Sequence, residues 1–254
     1  MESSVLVKAF QLLEAFGQSP TDPSLAALSS QTGLAKPTVH RILKTLVALG
    51  YVEQTTVGIY RLSRSFRRLT LGRAERLLVQ RADPLLRALR DQTGETVNLG
   101  VLQGHRVTYL TVLESNHALR RIVEERAGDP FHTTALGRAM VAFLSDQRRE
   151  FLLRTTPLEK YTPATVNDPV EIQALLDEVR QAGFAVEEDQ TDVGVTCIGA
   201  PVFQGETVVA AISVSVPTAR IQTTGTTRQQ LIDAVCKTAN ALTELMTSTE
   251  PTAV

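Results

Sequence analysis

Residues 24–62 read SLAALSSQTGLAKPTVHRILKTLVALGYVEQTTVGIYRL, and this stretch decides the amino-terminal fold. Ser24–Thr32 reads as a helix opened by a polar cap. Gly33-Leu34-Ala35 is a short turn in which the glycine is available for a left-handed backbone. Pro37 then falls near the first position of a second helix, where its missing N–H costs nothing. At about 100° per residue that helix has two unlike faces. Val39, Ile42, Leu43, Leu46 and Val47 form an apolar back that packs on the preceding helix, while His40, Arg41, Lys44 and Thr45 form a polar front.

Beyond Gly50, Tyr51–Glu53 and Ile59–Leu62 flank TTVG, a hairpin turn around Gly58. Helix, tight turn, basic helix and hairpin together make a winged helix-turn-helix. A basic, hydrogen-bonding helix front suits the major groove of double-stranded DNA, where Arg and Lys meet guanine acceptors. The candidate contacts are Lys36, Pro37, Thr38, His40, Arg41 and Lys44 on the reading helix. Thr55, Thr56 and Arg61 of the wing fall near a backbone phosphate. An amphipathic surface helix followed by an ordinary hairpin is the other reading of the same residues. Upstream, the spacing of Leu6, Phe10, Leu13 and Phe16 predicts a first helix packing under this head.

Charge is partitioned along the chain. Residues 1–81 hold 11 Lys and Arg against 5 Asp and Glu, a net of +6, whereas residues 82–254 hold 15 against 22, a net of −7. A basic amino-terminal third beside an acidic remainder is the electrostatic footprint of a nucleic-acid-binding module joined to something else. Six of those 11 basic residues lie between Arg64 and Arg81, where a solvated helix face is the plainer reading of any single arginine.

The 254 residues suit one large or two modest domains, and 43% hydrophobic residues supply ample core. No apolar run reaches the roughly 18 residues a bilayer requires, so no membrane partner is expected. MESSVLVKAFQLLEAFG lacks a basic n-region and a small-residue cleavage site, so no signal peptide is expected. Two cysteines, Cys197 and Cys236, make no disulfide framework, and a reduced cytoplasmic setting is the default.

Ser63–Arg81 reads as a polar, Arg-rich connecting helix with Phe66, Leu69, Leu77 and Leu78 as its stripe, and Asp83–Thr93 as a further short helix closed by Gly94. Domain boundaries follow at 1–64 for the head, 65–81 for the linker and 82–254 for the rest. Thr96–Gln103, Val107–Glu114 and Leu119–Glu125 are strand-like, the first two joined by a tight turn at Gln103-Gly104-His105. Thr134–Arg154 and Asp168–Gln181 read as helical. Phe184–Glu188, Gly194–Phe203 and Thr207–Val216 read as strands, the last two joined at Gln204-Gly205, and Arg228–Met246 as a final helix. Strands grouped in hairpins, with helices between the groups, argue for an α+β domain around an antiparallel sheet.

In Thr207–Val216 the pleat sends Ser213 and Ser215 to one face with Val209 and Ala211. A buried hydroxyl without a partner costs ~1–3 kcal/mol, so a ligand, neighbouring backbone or water must satisfy each. If Val195, Cys197 and Gly199 of the preceding strand share that face, the floor holds a thiol, two hydroxyls and a bare glycine. Phe131–Ala139 reads as a loop entering a helix, whose N–H groups at Ala135 and Leu136 favour an anion. A carboxylate on these amides, its other end over the serines, is the simplest ligand arrangement.

The segments TGLAKPTVHRILKTLVALGYV, PFHTTALGRAM, GFAVEE, GVTCIGAPVF and AAISVSVP resemble the IclR family of bacterial transcriptional regulators over nearly the whole chain. The resemblance implies a winged helix-turn-helix, a linker helix and a GAF-like effector domain. It also implies dimers that often pair into tetramers on palindromic operators, and small organic or aromatic acids as effectors. Carried over by motif, the effector positions are Ala135, Leu136, Glu187, Cys197, Ser213 and Ser215. Two departures stand out: Glu187-Glu188-Asp189-Gln190 where the family commonly has an Asp followed shortly by a Glu pair, and SVSVP where SVSGP is usual. A longer Glu187 fills space or redirects a hydrogen bond in the pocket.

Cys197 with His132 could form a nucleophile and base, but no third group orients them, so catalysis is not expected. Cys197, Glu187 and His132 lack the close spacing of zinc ligands, and no cofactor is expected. Cys236 falls among Leu231, Val235, Ala239 and Leu242 on an amphipathic helix and reads as core. A sensor acting through a protein partner, its head serving for assembly, remains the competing reading; steep loss of affinity with salt marks a DNA binder instead.

Overall fold

The computed structural model describes residues 4–18, 22–56, 58–63, 66, 72–123, 128–223 and 227–247. The chain divides between Arg76 and Leu77 into two compact units. The first comprises α1 (Ser4–Gln18), α2 (Leu25–Thr32), α3 (Lys36–Ala48), β1 (Val52–Thr56) and β2 (Ile59–Leu62). Its local chemistry follows the sequence. The Ser24 hydroxyl caps α2 by accepting from the Ala27 N–H, Gly33 closes it at φ 68°, and Pro37 sits in the first turn of α3. Strands β1 and β2 pair antiparallel with Glu53 opposite Arg61, around a turn where Gly58 takes φ 80°.

The core of this unit gathers Leu12, Phe16, Leu28, Val39, Leu43, Leu46, Val52 and Tyr60. Two details differ from the predicted stripes. On α1 the inward face is Ala9, Leu12, Leu13, Ala15 and Phe16, while Leu6 and Phe10 are each 58% exposed. The helix is rotated toward its alanines, whose small side chains admit close packing. On α3, Val47 lies at the margin of the apolar stripe and is exposed, not buried.

The linker also differs. A single helix, α4 (Arg73–Thr93), runs through Pro84, where the sequence suggested two pieces. Pro84 removes one N–H from the ladder. Leu78, Ala82, Leu86 and Leu89 form one buried stripe on both sides of it, and that packing carries the helix through. Leu77 is exposed and Phe66 packs edge-on against Tyr51, whereas Leu69 lies outside the described residues.

The second unit is built on a six-stranded antiparallel sheet in the order β5-β4-β3-β8-β7-β6. The strands are β3 (Thr96–Gln103), β4 (Arg106–Leu113), β5 (Gly128–Pro130), β6 (Ala185–Glu188), β7 (Val195–Gln204) and β8 (Thr207–Pro217). Between and after them come α5 (Ala135–Val141), α6 (Asp146–Thr155), α7 (Pro169–Ala182), α8 (Thr218–Thr223) and α9 (Arg228–Thr247). Both faces of β7 and β8 are buried, and both α5 and α9 pack against these two strands. The predicted helix over 134–154 is two, because Ser145 caps a new one through the Arg148 N–H.

The predicted strand Leu119–Glu125 is not formed over its described part. Leu119–Val123 has no regular structure, Leu119 and Ile122 are 69% and 72% exposed, and residues 124–127 lie outside the described residues. The run lacks strict alternation, and its arginines tie it down by ion pairs, Arg120 to Glu114 and Arg121 to Asp129 and Asp192. Among the described residues, no helix is long and apolar enough to cross a membrane.

Two glycines set how closely α5 meets its surroundings. A Cβ on Gly199 would lie 2.9 Å from the Ala135 carbonyl carbon and oxygen, and one on Gly137 would lie 2.4 Å from the Phe131 backbone. Both collisions are with backbone, which cannot step aside. Gly137→Ala is therefore expected to destabilise the second unit by about 1–3 kcal/mol. Hydrogen exchange should show the loss in α5 and β7 and leave α1–α3 unchanged; equal protection in both proteins would contradict the close approach.

Candidate functional site

The front of α3 presents Lys36, Pro37, His40, Arg41 and Lys44 to solvent, with Thr38 half-buried at its start. The exposed Thr45 hydroxyl donates to the Arg41 carbonyl. Opposite them Val39, Ile42, Leu43 and Leu46 are buried, so the cationic face is held outward by the packing of the apolar one. On the wing Thr55 is exposed. Thr56 ends β1, and Arg61 lies 3.4 Å from Glu53 across the hairpin. That exposed pair is weak and salt-screened, so a phosphate competes for the guanidinium on favourable terms.

In the second unit strand register brings the sequence-predicted residues together. Across four strands, Thr96, Ser215, Cys197 and Glu187 form one row, and Asn98, Ser213, Gly199 and Ala185 the next. Asn98 Nδ2 donates to Ser213 Oγ at 3.3 Å and Ser215 Oγ at 3.1 Å, and the Cys197 thiol donates to Ser215 Oγ at 3.3 Å. Glu187 accepts from the Gln190 N–H at 3.2 Å. The serines thus find a partner in Asn98, which sequence reading missed. An Asn within the mostly apolar run TVNLGVL was the available signal, since a buried amide must be satisfied.

Ala135 and Leu136 begin α5 over this floor. The bare glycine is not open floor, however, because the Ala135 backbone rests on Gly199 and the Leu136 side chain reaches the space above Gly100. The Thr134 hydroxyl caps the helix by accepting from the Gly137 N–H.

Two arginines outside the predicted set complete the site. Arg121 lies 2.8 Å from Asp192 and 3.2 Å from Asp129, and donates to the Tyr109 hydroxyl at 3.3 Å; that hydroxyl donates to Asp129. Burial works against its charge while Cys197, Tyr109 and Asp129 favour it, and the guanidinium stays protonated. Arg138, almost fully buried, donates to neutral acceptors, the His132 carbonyl and the Gln190 side-chain carbonyl. Burial lowers it to about 10 against the opposing pull of Glu187.

Glu187 itself is pushed up to about 7 by burial, although Cys197, the Gln190 amide and the two arginines favour its charged form. Burial likewise holds Cys197 well above the usual thiol range, so it is a neutral thiol and no nucleophile. His132 turns its Nε2 to the Glu159 carbonyl at 3.0 Å, and burial lowers its pKa. Among the described residues, no three His, Cys, Asp or Glu are grouped to hold a metal.

Because the Glu187 carboxyl holds its proton more tightly folded than unfolded, its contribution is full below pH ~4.3, the unfolded value, and declines as pH rises through about 7. Glu187→Gln removes that decline. Urea unfolding at pH 5 and pH 8 should show the variant gaining on the wild type by up to ~3 kcal/mol over that interval. A difference independent of pH would mean Glu187 is ionised throughout.

Comparison with known proteins places both units. Residues 5–56 match the IclR helix-turn-helix domain, and residues 74–244 match the domain described as bacterial transcriptional regulator IclR C-terminal. The HTH-type transcriptional regulator XynR of Escherichia coli strain K12 is 32% identical over 221 residues, covering 84% of this chain and 86% of that protein. The HTH-type transcriptional regulator BhcR of Paracoccus denitrificans is 34% identical over 202 residues, covering 78% and 72%. In structure, an IclR homolog from Microbacterium hydrocarbonoxydans, complexed with 4-hydroxybenzoate, superposes with a TM-score of 0.73 at 23% identity, covering 97% of this chain and 100% of that one. With both domains matched in order along one chain, the protein belongs to the IclR family: it is a DNA-binding transcriptional regulator and not an enzyme.

Proposed function

We propose that this regulator reads a palindromic operator as a dimer or dimer of dimers and is controlled by a small organic or aromatic acid. The acid binds among Ala135, Leu136, Glu187, Cys197, Ser213 and Ser215. The observation that carries the acid class is the pair of arginines beside Glu187. Arg138 is buried with neutral hydrogen-bond partners, and the nearby carboxyl is itself pushed toward its neutral form. A buried cation in that situation gains from an entering anion. The Microbacterium protein of the same fold is likewise complexed with an acid.

In the head, Lys36, Thr38, His40, Arg41 and Lys44 face the major groove behind the turn at Pro37, and Thr55 and Arg61 meet phosphate. Self-association has apolar surface available: Val5, Leu6, Val7 and Phe10 are exposed on α1. The head occupies residues 1–64, a linker 65–81 and the effector domain 82–254, with α4 continuing from one into the next. Control requires the acid to bind two arrangements of the regulator with different affinity; equal affinity shifts nothing.

A gel-shift on DNA upstream of the chain's own and neighbouring genes, with and without a panel of aliphatic and aromatic acids, tests the whole reading. Arg41→Ala should weaken specific operator binding by ~1–3 kcal/mol, and unchanged affinity would remove Arg41 from the groove. Ser215→Ala should abolish the response to the acid while DNA binding persists; a normal response would exclude Ser215 from the site. Affinity that hardly changes with salt would favour assembly through a protein partner over DNA binding.

A further inference from the structure

Asn98 is fully buried at the centre of the sheet, and its side chain is only half satisfied. Its amide nitrogen serves both Ser213 and Ser215, whereas its Oδ1 accepts no hydrogen bond. A buried acceptor left in that state is costly and calls for a donor. The atom shares its face with Ser213, Ser215 and Cys197, the floor of the effector site.

A carboxylate cannot meet this need, because it has no hydrogen to give. It can accept from the serine hydroxyls, whose oxygens are already used as acceptors by Asn98 and Cys197. The residues flanking Asn98 on the two rows, Thr96, Ser213, Ser215 and Gly199, are neutral, so an ammonium donor would be stripped of water without a counter-charge. A neutral hydroxyl is the donor that fits. We infer that Asn98 is a specificity-determining residue and that the effector is a hydroxylated carboxylic acid whose hydroxyl donates to Asn98 Oδ1. This rests on the acid-effector reading and adds to it a second required group.

Calorimetric titration of the full chain with matched pairs tests it: glycolate against acetate, 3-hydroxybutyrate against butyrate and 4-hydroxybenzoate against benzoate. Phenol serves as the neutral arm and alanine as the ammonium arm. At least one hydroxy acid should bind about tenfold or more tighter than its deoxy partner. In Asn98→Ala that ratio should fall to near one, with the deoxy acid still bound. Equal binding within every pair in the wild type, or an undiminished ratio in the variant, overturns the role of Asn98 and leaves the acid reading standing. Tighter binding of alanine than of any hydroxy acid overturns the hydroxyl class. Binding of phenol alone overturns the acid reading, and binding of nothing in the panel overturns both. Should Asn98→Ala fail to fold, the wild-type ratios decide.

Discussion

The second unit depends on the direct contact between the first turn of α5 and β7, which exists because position 199 has no side chain. With Gly137 giving the same freedom on the Phe131 side, the helix settles onto the sheet at backbone distance. Glu187, Cys197, Ser213 and Ser215 are then all nearly inaccessible to solvent. Their electrostatics follow from that closure. A carboxyl is driven toward neutrality and a guanidinium toward easier deprotonation, because burial penalises whichever form is charged.

Burial pushes the Glu187 carboxyl toward its neutral form, while Arg121 beside it is held in ion pairs of its own. Arg121 reaches it from a segment without regular structure and is tied to carboxylates on β5 and on the β6–β7 turn. Arg138 reaches it from the helix above. Two separate parts of the chain, the 119–123 segment and α5, thus bring a guanidinium toward one buried group, Glu187.

The reading head was largely legible from sequence because its determinants are local. A serine cap, a glycine at positive φ, a proline in a first turn and a run of apolar spacings each act within a few residues. Where longer-range packing decided, the local signals misled. The sequence read as two successive helical pieces, and a buried stripe on either side of Pro84 joins them in one helix, α4. Leu119–Val123 had strand-like composition, and ion pairs to the nearby Glu114 and the distant Asp192 tie it down in another form. On α1 the stripe was displaced because two alanines, silent in a hydrophobicity pattern, allow the closer approach.

Sequence alone determined the family, the helix-turn-helix, the antiparallel hairpins and the facing of Ser213 and Ser215, because periodicity and turn chemistry are properties of neighbouring residues. It could not supply the rows that set Asn98 beside those serines or Glu187 beside Cys197. The first depends on register between strands far apart in the chain, and the second on the pairing of the consecutive strands β6 and β7. Nor could it supply Arg121 and Arg138, which looked like any other arginines until folding buried them around a carboxyl. Burial and cross-strand register come only from the whole packed unit, and it is they that give these side chains their chemistry.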